Sequence, residues 1–228
     1  MDAAITKGQN HPVQDIDTHT DTRDYLSHAR RDAERKGYDD WLIVDVDAHH
    51  VESVSWSEVT QYIEDPVVRH QATMYQAERV GAPPYGLNGD LGLRYQDVGG
   101  RIPHQSSQRE RVEETDVHRD VVLTRRAMHG LAVDYMVLFP TPMLFLGMHP
   151  QTDMEIFLSQ AYNRWLTERI LPGDPGIVTL VVLPFNTPDA ALKMVEEHAD
   201  NPSVIGFCVT STRYKPVHAN EYMKLYRA

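Results

Sequence analysis

Trp41-Leu42-Ile43-Val44-Asp45-Val46-Asp47-Ala48-His49-His50-Val51-Glu52 is the stretch on which the reading of this chain turns. Residues 42 to 44 are a short apolar run and read as a buried strand, with polar residues crowding its C-terminal end. Side chains two apart on a strand share a face, so Asp47 and His49 point the same way. A carboxylate and an imidazole side by side can hold a divalent metal. The competing reading of the pair is an N-cap carboxylate next to a core histidine. His50 points to the opposite face and reads as structural. Asp45 shares the face of Asp47 one layer deeper, which suits a hydrogen bond better than ligation. Glu52 reads as a partner orienting a metal ligand, or as a capping residue at a helix start.

Beyond this stretch, strand and helix patterns alternate. Thr115 to Leu131 carries Val117, Val121, Val122, Met128 and Leu131 at helical spacing. Val133 to Phe139 reads as a strand stopped by Pro140 and Pro142. Asp153 to Ile170 reads as an amphipathic helix, capped by Asp153 and ended by Pro172-Gly173. Ile177 to Leu183 is a β-branched run and hence a buried strand. Pro188 to Ala199 is a helix with Thr187 as its N-cap. Val204 to Val209 is a strand, and Asn220 opens a last helix. Such alternation implies βαβ units and a parallel α/β sheet.

The Asp47-x-His49 pair after an apolar run resembles the first strand of the amidohydrolase-related (amidohydrolase 2) family of the metal-dependent amidohydrolase superfamily. Ala161-Tyr162-Asn163-Arg164-Trp165-Leu166 resembles the family's Asn-x-Trp-Leu helix. Leu183-Pro184-Phe185 and Val204-Ile205-Gly206-Phe207 resemble its third and fourth strands. The resemblance covers about residues 41 to 228 and implies a (β/α)8 barrel with one divalent metal, Zn²⁺ first and Mn²⁺ second, held through Asp47 and His49. It implies a hydrolase cleaving a C–N or C–C bond of a small carboxylate-bearing substrate, aromatic groups being compatible with Phe139, Phe185 and the tyrosines. The alternative within the family is a nonoxidative decarboxylase. In a hydrolase the ion polarises a scissile carbonyl; in a decarboxylase it chelates the substrate carboxylate.

Four strand candidates, 42–49, 133–139, 177–183 and 203–209, are half of what a closed barrel of ~250 residues needs. The expected fold is therefore the first half of a TIM barrel, from a chain that reads as truncated. An N-terminal extension (1–40) precedes it, and an insertion (about 53–114) follows strand one. The catalytic groups are expected on later strands, and residues 1–228 are expected not to turn over substrate alone. An inactive or binding-only remnant is the second alternative. At the strand ends, Thr141, Asn186, Thr210 and Arg213 are placed to face a ligand, and Arg213 suits a substrate carboxylate.

Residues 1 to 20 read as a mobile polar tail, so its Asp17-Thr18-His19 near-copy of the strand-one motif has nothing to hold it. Residues 21 to 36 read as an exposed charged helix. In the insertion, Tyr75, Tyr85, Tyr95 and His104 are candidates to line a cover over the site, with Arg94 or Arg101 as carboxylate binders. His129, His149 and His218 are weaker candidates for substrate contact. So is His198, whose place at a helix C-terminus favours a partly charged imidazole. The chain's 228 residues are 41% hydrophobic and 24% charged, with a net charge of −11. That acidity argues against nucleic acid or an anionic membrane as a partner. A small-molecule substrate is the partner expected, and self-association into a homo-oligomer stays open. The single cysteine, Cys208, reads as an inert buried thiol. With no membrane-length apolar run and no signal-peptide core, the cytoplasm is the expected location.

Overall fold

In the computed structural model, residues 23–50, 52–74, 112–113, 116–209 and 215–228 are described. Four parallel strands stand in the order β1-β2-β3-β4: Val44–His50, Tyr135–Pro140, Ile177–Val182 and Val204–Cys208. This sequential α/β arrangement is the one expected of the first half of a (β/α)8 barrel. Along the chain, α1 (Arg23–Lys36) precedes β1, and α2 (Trp56–Val59) and α3 (Pro66–Met74) follow it. α4 (Arg119–Leu131) leads into β2, α5 (Thr152–Trp165) joins β2 to β3, and α6 (Pro188–His198) joins β3 to β4. No helix of the described residues is long and apolar enough to cross a membrane.

Two apolar clusters hold the layers together. The larger joins Met136 and Leu138 of β2 and Ile177 and Val182 of β3 to Val121, Leu158, Tyr162 and Trp165 on α4 and α5. Trp56, Val59, Ile63 and Ala72 complete it, so the segment after β1 is a helical layer of the core up to Met74. The smaller gathers Val181, Leu183 and Phe185 against Ala191, Met194, Tyr222 and Leu225. Phe185 stacks on Tyr222 at 4.1 Å between ring centroids. The charged helix expected at residues 21–36 is α1, and it lies on α4, where a Cβ on Gly130 would stand 2.9 Å from Leu26.

Several expectations are corrected. Leu42 and Val44 are 75% and 44% exposed, not buried, because β1 is an edge of the described sheet. α4 starts at Arg119 rather than Thr115, capped by His118, whose side chain accepts the Asp120 N–H. Gln151, not Asp153, is the N-cap of α5, and Asp153 lies in its first turn. After Trp165 the helix widens into a π turn over Leu166–Ile170, which carries the run to Pro172-Gly173. The last helix is reduced to two 3₁₀ turns, Asn220–Tyr222 and Leu225–Arg227. Asp17, His19, Tyr75, Tyr85, Arg94, Tyr95, Arg101 and His104 lie outside the described residues.

Candidate metal centre

β1 delivers its polar residues to the C-terminal end of the sheet through an irregular register. Asp45 pairs with Met136 and Ala48 with Leu138, so β1 carries one residue more than β2 across this step. The Asp47 N–H in the irregular segment is taken by the Asp45 carboxylate at 3.0 Å. Asp45 thus has the hydrogen-bonding role expected of it, and the extra residue re-aims the Asp47 side chain.

Asp47 and His49 meet. His49 Nε2 stands 3.1 Å from Asp47 Oδ1, and His49 Nδ1 stands 3.2 Å from the Pro140 carbonyl oxygen at the end of β2. A neutral imidazole carries one N–H. With that proton on Nδ1 and donated to Pro140, Nε2 turns a lone pair toward a carboxylate oxygen. Two acceptors then face one another, which a second ring proton or a cation between them resolves. Ligands at about 2.0–2.2 Å from a shared ion stand about 3 Å apart, so the pair fits one divalent metal. The backbone carbonyl behind the ring is the kind of partner that fixes a ligating histidine. Asp47 is open to solvent and His49 about one-third exposed, with Phe139 beside its ring at 5.9 Å. Among the described residues no group of three or more His, Cys, Asp or Glu converges on one point.

The neighbouring residues are committed elsewhere. His50 turns to the helical layer, where Nε2 is 2.7 Å from the Tyr162 hydroxyl and Nδ1 is 3.3 Å from Asp120. Its ring lies parallel to Trp165, 4° apart. Burial raises the Tyr162 pKa well above its ordinary value, so the phenol stays a donor to His50. Burial pushes the Asp120 carboxyl upward, but the hydrogen bond and charge of His50, with His118 and Arg119, outweigh it and hold the acid below its ordinary range.

Glu52 is fully buried. Its oxygens accept the backbone N–H groups of Thr141 (2.9 Å) and Met143 (2.6 Å). Burial drives its pKa up to about 7, against the downward pull of His50 and those hydrogen bonds. Thr141 donates its hydroxyl to the His50 carbonyl. Asn186, expected to face a ligand, donates its side-chain amide to the Gly147 carbonyl at 2.7 Å. Thr210 and Arg213 lie outside the described residues. His149 is buried at the end of the turn after β2, with Nδ1 accepting the Gln151 N–H. His129 and His218 are exposed. His198 is buried, and burial pushes its pKa down, against the charge that the helix end favours. Cys208 is half-buried and its thiol is pushed up by burial, in keeping with an unreactive thiol.

Sequence reasoning missed the Pro140 carbonyl, which no side-chain motif can announce. It also missed Glu155, a buried acid on α5. Glu155 sits three and seven residues before Leu158 and Tyr162, on the apolar face, and that position was a legible signal.

No protein-family model matches the chain, and no curated protein matches it. Among the solved structures similar to it are two of a decarboxylase. One is 2,6-dihydroxybenzoate decarboxylase from Rhizobium, at 14% identity and a TM-score of 0.44, over 82% of this chain and 46% of that one. The other is 2,6-dihydroxybenzoate decarboxylase complexed with 2,6-dihydroxybenzoate, at 14% identity and a TM-score of 0.41, over 82% and 45%. The chain spans about half the length of these structures.

Proposed function

We propose that this chain carries the first part of a metal-dependent enzyme of the amidohydrolase-related kind, with Asp47 and His49 as two ligands of one divalent ion, Zn²⁺ or Mn²⁺. The observation that carries the reading is the paired geometry at the end of β1. His49 is held from behind by the Pro140 carbonyl and presents Nε2 to Asp47 Oδ1 at 3.1 Å. A divalent ion held there supplies Lewis-acid polarisation of a substrate carboxylate or carbonyl. The chain's own residues do the positioning. Pro140 fixes the ring of His49, Asp45 fixes the backbone of Asp47, and Glu52 fixes the turn that follows Pro140. Phe139 beside His49 gives the site an apolar flank suited to an aromatic acid. The substrate we propose is a small carboxylate-bearing molecule. Decarboxylation, the reaction in the names of these similar structures, is tested ahead of hydrolysis.

The test separates binding from turnover. Mn²⁺ titrated into the 228-residue chain is expected to lose its free-ion electron paramagnetic resonance signal in proportion to protein, up to one ion per chain. His49→Ala and Asp47→Ala are each expected to weaken that binding at least tenfold. Unchanged binding in both variants would remove the metal reading. Release of CO₂ from 2,6-dihydroxybenzoate, against hydrolysis of aromatic amides, then assigns the reaction in whichever form of the protein turns over.

A further inference from the structure

The 3₁₀ turn after β2 (Pro142–Met148) sits at the same end of the sheet as Asp47 and His49. A buried carboxyl fastens its entry, and an asparagine backed by a second buried carboxyl fastens its exit. At its entry, Glu52 takes the Thr141 and Met143 N–H groups, and Glu52 is 0% exposed. At its exit, Asn186 donates its amide to the Gly147 carbonyl, while the Asn186 backbone N–H points to Glu155 Oε1 at 3.5 Å. Glu155 is 3% exposed, and its Oε2 has no hydrogen-bond partner among the described residues. The fastening leads directly to the candidate centre, because Thr141 follows Pro140, whose carbonyl holds His49.

We propose that this turn is a proton-operated latch, closed when Glu52 and Glu155 carry protons and released when they lose them. A carboxylate sealed from water pays a large desolvation penalty, whereas a neutral carboxyl pays little and keeps acceptor capacity on its oxygens. Lifting the turn hydrates both groups, so deprotonation favours the lifted state. Burial raises both acids above their ordinary range, Glu52 to about 7. The titratable groups facing Glu52 are His50 on β1 and Tyr162 on α5, with Asp120 on α4 acting through both. Around Glu155 stand the side-chain amide of Asn186 and the backbone N–H groups of Phe185 and Asn186. The latch needs no bound metal and stands or falls apart from the proposed function.

Hydrogen exchange followed by mass spectrometry at pH 6 and pH 8.5 tests it, with rates divided by the intrinsic rate at each pH. Residues 141–148 are expected to open ~10-fold more often at pH 8.5, from Glu52 alone. β3 (Ile177–Val182) serves as the internal reference and is expected to change much less. Glu52→Gln and Glu155→Gln should each shrink the pH response of the turn. His50 is kept in both variants, so a full response surviving in both would assign the titration elsewhere and overturn the latch. A flat response in the wild-type chain, or one matched by β3, would overturn it without any variant. If Glu52→Gln does not fold, the wild-type response and Glu155→Gln still decide.

Discussion

His50 interacts with two buried carboxyls that burial pushes upward alike, yet their net shifts have opposite signs. Asp120 has an imidazole nitrogen at 3.3 Å and two further cationic or titratable neighbours, His118 and Arg119, so charge partners prevail over desolvation. Glu52 has two backbone N–H groups and a more distant His50, and desolvation prevails. The consequences for stability have opposite signs. The raised Glu52 contributes fully below its ordinary 4.5, and the contribution is lost as pH climbs through about 7. The lowered Asp120 contributes above its ordinary 3.8, and its contribution is lost as pH falls through its depressed value. Urea denaturation should therefore find the protein about 1–2 kcal/mol less stable at pH 8.5 than at pH 6 through Glu52. Glu52→Gln should flatten that difference. It should also lower stability at pH 6 by about 1–3 kcal/mol, because its NH₂ cannot accept the second backbone N–H. A wild-type protein that gains stability from pH 6 to 8.5 would contradict the account.

At the scale of elements, two helices show what the sequence disclosed and what it withheld. The stretch from Ala161 to Leu166 was legible as a signature, and each polar residue in it has a physical task. Asn163 clamps β3, giving Nδ2–H to the Val182 carbonyl and accepting the Val182 N–H. Tyr162 holds His50, and Trp165 Nε1 donates to Glu58. The order and type of the strands were likewise legible, since β-branched runs alternate with helical spacing. The start of α4 was not. Helix entry is ordinarily read from Ser, Thr, Asp or Asn, and apolar spacing alone carried the reading back to Thr115. The cap is His118, whose Nδ1 accepts the Asp120 N–H at 3.1 Å while Nε2 meets Glu58. That role depends on Glu58 and on the edge of Trp165, both distant in sequence. His118→Ala should cost about 1–2 kcal/mol, combining a lost cap with the loss of one of two partners of Glu58. His118→Asn should recover the cap alone, leaving a smaller loss. Equal losses in thermal or urea denaturation would show that capping is not what His118 supplies.

Across the whole molecule, the middle of the sheet is closed on both faces and its two edges are open. Leu158, Tyr162 and Trp165 of α5 and Ile177 of β3 are fully buried where the helices meet the sheet. Leu42, Val44, Val46 and Ile205 are 75%, 44%, 69% and 56% exposed, and Trp41 is 70% exposed. β1 and β4 are the two edges of the described sheet. The candidate site inherits this asymmetry, because Asp47 and His49 project from the edge strand, where one wall of a pocket is present and the facing wall is not supplied by the described residues. For the same reason, two candidate ligands were legible in the sequence and a third was not. An edge strand with exposed apolar side chains is a template for pairing with another chain. Asp45 and Asp47 on that strand oppose tight self-pairing through charge, so weak association is expected rather than a stable dimer. Sedimentation velocity over a rising concentration series should show reversible self-association of the chain, stronger at high salt, where the repulsion is screened. Leu42→Lys with Val46→Lys should abolish it without lowering thermal stability, since neither side chain is buried. Association that survives both substitutions would place the contact elsewhere on the surface, and a strictly monomeric wild-type chain would show that the open edge is not a contact surface between copies.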